Sequence, residues 1–183
     1  NYRDVINQSK YPYYASNKDK TLSVPFTAEE TLLVKAEAEI IQKKYDAAVA
    51  DLNTWTSAYL NTTKKSFTKE DIIAFYKALE YSSEAEPTMK KKLHPAFTLD
   101  GGEDQEMLLH HLLQCRRVAT VHEGLRWFDI RRYGIEVYRF VHDTKDRAKV
   151  TVAKTLSSWD EHTTFQIPQN VRNAGLEPTP RTK

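Results

Sequence analysis

A chain of 183 residues that is 40% hydrophobic and 28% charged has the material for a folded domain with a sizeable core. Its net charge of +2 gives no electrostatic reason to expect nucleic acid or an acidic membrane surface, and no apolar run approaches the roughly 20 residues that cross a bilayer as a helix. A single cysteine, Cys115, excludes an internal disulfide, and five glycines favour helices over tight hairpins.

Residues 1–26 carry no sustained hydrophobic period. Tyr11-Pro12-Tyr13-Tyr14 and Ser23-Val24-Pro25 read as an extended lead-in. The opening Asn1 comes with no initiator Met, signal peptide or lipid-bearing cysteine, so the sequence reads as a processed or truncated chain. Helical logic begins at Thr27-Ala28-Glu29-Glu30, a capping box in which the threonine hydroxyl and Glu30 satisfy each other's backbone amides. Leu32, Leu33, Ala36, Ile40 and Ile41 then recur at helical spacing. A turn near Lys44-Tyr45 leads to Asp46 as N-cap of a second helix, with Ala48, Val49, Leu52 and Trp55 inward. So short a connection makes the two helices antiparallel, and small Ala36 and Ala48 permit the close crossing of a tetratricopeptide-like pair.

Thr68-Lys69-Glu70-Asp71 caps a third helix carrying Ile72, Ile73, Phe75, Tyr76 and Leu79. Residues 82–102 read as an excursion long for a structureless loop, either functional or covered by structure outside this chain, and the run Met89-Lys90-Lys91-Lys92 as a solvated loop within it. A long helix is predicted from about Glu103 to Glu123, with Leu108, Leu109, Leu112, Leu113, Val118 and Val121 on its apolar side. Gly124 interrupts it, and helix resumes to a C′ glycine, Gly134. Residues 135–141 and 149–156 favour strands, joined across a polar turn as a hairpin. The proline-bearing tail to Lys183 reads as extended chain wrapping the surface. The expectation is a mainly α fold: a lead-in over 1–26, a helical region over 27–134, and a hairpin with its tail over 135–183.

Candidate chemistry is sparse. His111, Cys115 and His122 fall on one side of the long helix, but a rise of about 1.5 Å per residue separates the two histidines by about 16 Å, beyond any shared metal. No metal site is expected, nor any cofactor. No nucleophile elbow, phosphate loop or zinc-protease motif occurs, and 25 acids make carboxylate pairs a matter of chance. A non-catalytic protein is the expectation. Tyr13, Tyr14 and Trp159 lie in loop-like stretches, where a ring either stacks on a sugar or covers core. Trp55 and Trp127, on helices, read as core.

The densest stretch is His122 to Gly134, HEGLRWFDIRRYG. Glu123 with Arg126, and Arg126 with Asp129, stand at i,i+3 and form a ladder of ion pairs, with Arg116 two turns earlier on the same face. Beside Trp127 and Phe128 such charges are partly buried, and buried charges are tolerated when paired. The ladder reads as structural.

This stretch also resembles the signature of the SusD/RagB family of outer-membrane nutrient-binding lipoproteins of Bacteroidetes, roughly E-R-R-x-E-L-x-x-E-G-x-R-x-x-D-L-x-R-x-G. Arg116, Arg117, Glu123, Gly124, Arg126, Asp129, Arg132 and Gly134 match it. Cys115 and Ala119 stand where the pattern has Glu, and Thr120 where it has Leu, which removes two partners from the usual charge network. FTAEETLLVKAEAEIIQKKYDAAVADLNTW is similar to the family's helix pair, and FQIPQNVRNAGLEPTPR to its closing segment. The resemblance covers the family's C-terminal part. It implies a glycan-binding protein at the cell surface, partnered with a SusC-like TonB-dependent transporter and held at the outer membrane by a lipid anchor that this chain lacks. Ligands are bound in that family by variable loops, so the resemblance assigns no ligand residue. The alternative from another class is a helical-repeat module that binds proteins and no small molecule.

Overall fold

The computed structural model describes residues 27–60, 66–121, 123–146 and 149–180. Tyr13, Tyr14 and His122 therefore lie outside the described residues. The described chain is mainly helical with one two-stranded antiparallel hairpin.

Helix α1 (Ala28–Ile41) starts in the expected capping box. The Glu30 amide donates to the Thr27 hydroxyl at 3.1 Å, and Glu30 Oε2 accepts from the Thr27 amide at 3.1 Å. The chain reverses within Gln42 to Lys44, where Lys43 takes the left-handed conformation at φ 62°. Helix α2 (Tyr45–Tyr59) then starts two residues earlier than predicted. Lys44 occupies the N-cap without a side-chain bond, and Asp46 sits inside the first turn. There its charge faces the positive end of the helix dipole instead of capping it. Ala36 and Ala48 are fully buried between the two helices, together with Leu33, Ile40, Leu52 and Trp55. The Trp55 indole donates to the buried carboxylate of Glu29 at 2.8 Å, so the largest ring in the pair leaves no polar atom unmet.

Helix α3 (Lys69–Ala78) carries the second capping box, Thr68 with Asp71. It buries Ile72, Ile73 and Tyr76 and turns Phe75 to solvent. Helix α4 (Gly102–Ala119) is the centre of the fold, packing against α1, α2 and α3 through Met107, Leu108, Leu109, Leu112 and Leu113. Gln105, also buried, closes the end of α1: its amide donates to Ile40 O at 3.0 Å, and its oxygen accepts the Gly101 amide at 3.0 Å. Orphan carbonyls at a helix end need such a partner when water is excluded.

The helix predicted to reach Glu123 stops at Ala119. Thr120 folds its hydroxyl back on Arg116 O at 2.8 Å, and Gly124 takes φ 78°, which lets the chain turn into α5 (Arg126–Tyr133). Val121, expected inward, falls in this bend and is exposed. Gly134 ends α5 in the left-handed conformation, as predicted.

Residues 80–101 form no regular element but are tied down, and the solvated reading of the lysine run is corrected here. Lys90 is 5% exposed; its ammonium donates to Leu79 O at 3.1 Å, at the end of α3, and lies 4.2 Å from the Tyr81 ring centroid. Lys91 is half-buried, donating to the Ser82 hydroxyl at 2.6 Å, and only Lys92 is exposed among the three. Farther on, the His94 peptide bridges two elements: its amide donates to Tyr133 O at 2.7 Å, and its carbonyl accepts the Trp159 indole at 2.7 Å.

Strands β1 (Val137–His142) and β2 (Val150–Leu156) pair antiparallel. The register runs from Val137 opposite Leu156 to His142 opposite Val150, with a bulge that leaves Ala153 extra. The tail corrects the expectation of purely extended chain. It holds a 3-10 turn at Glu161–Thr163 and a short helix, α6 (Gln169–Asn173), that begins after Pro168.

Candidate functional site

The charged stretch of the sequence is built around a residue outside it. Glu37 lies on the inner face of α1, in line with Leu33, Ala36 and Ile40, and is 6% exposed. Arg116 of α4 reaches it from one side at 2.5 Å, Arg132 of α5 from the other at 2.7 Å, and the fully buried Tyr133 donates its hydroxyl to the same carboxylate. Arg116 also bridges to Asp129 at 3.4 Å, and Arg126 meets Asp129 at 3.3 Å. Three helices are thus locked at one point through two carboxylates.

The electrostatics follow from that packing. Burial works to raise the Glu37 pKa, but Arg116, Tyr133 and Arg132 outweigh it, and the carboxyl stays below its usual range. At Asp129 burial wins over its two arginines and the pKa is raised. Tyr133 is held protonated, by burial first and by the Glu37 charge second. A general base needs an unclaimed lone pair and a general acid a labile proton near a cleft. Glu37 instead accepts from three donors, so what this arrangement can do is fix α1, α4 and α5 to one another.

The predicted ladder is present in part. Arg116, Arg126 and Asp129 come together as expected. The Glu123–Arg126 step took helical spacing across Gly124; the bend there places Glu123, half-buried, outside α5, while Arg126 turns to Asp129.

The chain matches no family model, and no curated protein or solved structure is significantly similar to it.

His111 and Cys115 do meet, with Sγ 3.9 Å from Nε2, as neutral packing groups. Burial lowers the His111 pKa to about 4 and pushes the Cys115 thiol up to about 12, so the thiolate that a metal would need is disfavoured. The neighbouring His110 is buried, stacked on Tyr76 with ring centroids 6.0 Å apart, and lies 3.4 Å from Glu106, which also accepts from the Tyr81 hydroxyl at 2.6 Å. This second cluster ties the 80–101 segment to α4. Among the described residues, no three His, Cys, Asp or Glu side chains gather as a metal set.

Trp55 is core, as read from the sequence. Trp127 is not: it is half-buried at the surface, its indole donating to Thr163 O at 3.1 Å and its ring 6.0 Å from Phe165. Trp159 is 52% exposed and has φ 60°, a conformation that a bulky residue adopts at a cost. Its indole reaches across Gly134 to the His94 carbonyl, so the ring acts as a latch between the 80–101 segment and the end of α5.

Sequence reasoning missed Glu37 and Tyr133, and it left Arg132 out of the ladder. The signal for Glu37 was available: an acid between Ala36 and Ala38, one turn from Leu33 and Ile40, sits in the middle of an apolar stripe. A charge in that position calls for a buried partner.

Proposed function

We propose that this chain is the C-terminal part of a non-catalytic glycan-binding protein of the outer-membrane surface that delivers its ligand to a SusC-like TonB-dependent transporter. One observation carries the reading: the stretches on which the SusD/RagB resemblance rests are joined side chain to side chain. Glu37, from the helix-pair stretch, is gripped by Arg116 and Arg132 of the signature. The Trp127 ring of the signature lies 6.0 Å from that of Phe165, the first residue of the closing segment. A pattern that is scattered in sequence and gathered in space has the character of a fold-defining signature. The saturation of Glu37 is in keeping with binding without turnover. In this reading, membrane attachment runs through a lipid anchor.

The test is a glycan microarray probed with the labelled chain, together with mass spectrometry of what co-purifies with it from outer membranes of its source cell. Retention of oligosaccharides and recovery of a TonB-dependent transporter are expected. Recovery of neither overturns the proposal, and release of reducing ends from the retained glycans would make the protein a hydrolase.

A further inference from the structure

The segment after β2 presents an aromatic ledge that neither the core nor the ion-pair lock uses. Phe165 is 79% exposed, and beside it the half-buried Trp127 ring stands 6.0 Å away, tilted by 37°. A single exposed phenylalanine on a loose segment calls for no explanation. Here the backbone on both sides is pinned. Upstream, Asp160 accepts from the His162 amide at 2.7 Å, the Thr163 hydroxyl donates to Asp160 O at 2.6 Å, and Thr163 O accepts the Trp127 indole at 3.1 Å. Downstream, the Gln166 side chain pairs with both polar groups of the Thr179 backbone, at 2.7 and 3.0 Å. The two rings are held in a fixed relation while one of them faces water.

Size decides the class of ligand. Two rings, one of them half covered, offer on the order of 150–250 Å² of apolar surface. A stable protein partner needs about 800 Å² on each side. The residues flanking Phe165 in sequence, Thr164 and Gln166, are polar. What fits a ledge of this size is the flat, carbon-bound face of one sugar ring, whose hydroxyls stay in water or reach those polar neighbours. A rigid pair of rings loses little entropy on stacking, which favours a ligand of few contacts.

We propose that Trp127 and Phe165 form a stacking subsite for one pyranose ring of a neutral glycan. This inference rests on the glycan-binding reading and names a place for it that the sequence did not: of the aromatics singled out there, Tyr13 and Tyr14 lie outside the described residues, and the Trp159 indole is engaged by the His94 carbonyl.

The experiment is titration calorimetry and tryptophan emission on the whole chain with maltohexaose, cellohexaose, xylohexaose and mannohexaose. Wild type is compared with Phe165→Ala, Phe165→Leu and Phe165→Trp. At least one hexaose binds and perturbs the emission; Phe165→Ala and Phe165→Leu weaken that binding about five- to tenfold, with melting unchanged, and Phe165→Trp restores it. Leucine keeps apolar bulk without a ring, so it separates stacking from a defect in folding. A hexaose bound equally well by wild type and Phe165→Leu overturns the subsite and leaves the glycan-binding reading standing. Binding of none of the four by wild type at millimolar concentration also overturns the subsite, and the microarray then tells whether the broader reading falls with it.

Discussion

Replacing Glu37 with alanine removes the acceptor of Arg116, Arg132 and Tyr133 at once. The Tyr133 hydroxyl is fully buried, and losing its partner costs about 1–3 kcal/mol. Arg116 keeps Asp129 at 3.4 Å, so its guanidinium is left half paired, at a further cost of about 1–2 kcal/mol. Arg132 is half exposed and rehydrates at little cost. The expected loss is about 2–5 kcal/mol, overlapping the range for breaking a buried ion pair from one side. In a chain of this length each kcal/mol moves Tm by about 2–4 °C, so Tm falls by about 4–20 °C. Circular dichroism melts and urea titrations at pH 7 measure it directly. A double-mutant cycle with Arg116→Ala should be non-additive by more than about 1 kcal/mol, because the two residues share one bond. The pH dependence carries its own sign. The folded pKa of Glu37 lies below the ordinary 4.5, so its contribution is fully present above the unfolded value and is lost as pH falls through the folded one. Asp129, with a raised folded pKa, acts in the opposite sense, losing stability as pH rises from its unfolded value through its folded one. Glu37→Gln should therefore flatten the loss of stability below about pH 4.5. A Tm within about 2 °C of wild type, an additive cycle and an unchanged acid limb would together mean that the three helices are not locked through this carboxylate.

Gly134→Ala should destabilise by about 2–4 kcal/mol, from the left-handed backbone and from a Cβ that would stand 2.5 Å from His94 O. Gly124→Ala, with φ 78° but open space around it, should cost only about 1 kcal/mol; equal losses in a urea titration would refute the close-approach argument. Arg126→Ala leaves Asp129 its bond to Arg116, so the loss should be about 1–3 kcal/mol and smaller than that of Arg116→Ala in parallel melts. Val34 and Phe128, on the groove between α1 and α5, are 57% and 68% exposed, and the isolated chain should self-associate or bind a hydrophobic dye. Sedimentation as a monomer without dye binding would show that this face is complete as it stands.

Much of the helical framework was legible without coordinates because its causes are local. Both capping boxes depend on residues three apart, the inward faces of α1 and α2 on a period of 3.6, and the stop at Gly134 on a left-handed backbone that glycine adopts freely. The hairpin was legible for the same reason, as alternation on either side of a polar turn. What the sequence could not contain is the pairing between distant stretches. Glu37 and Arg132 are 95 residues apart and become neighbours only when α1 and α5 pack on α4. The burial of Lys90 follows from the path of an irregular segment over the end of α3, to which charge counting along the chain is blind. Trp127 shows the limit most clearly. Its helical position argued for core, yet α5 is a short helix at the edge of the fold, and the ring's surroundings are set by a tail that begins thirty residues later. Local sequence determined which elements form; the choice of which face each one buries, and against what, belonged to the packing of the whole chain.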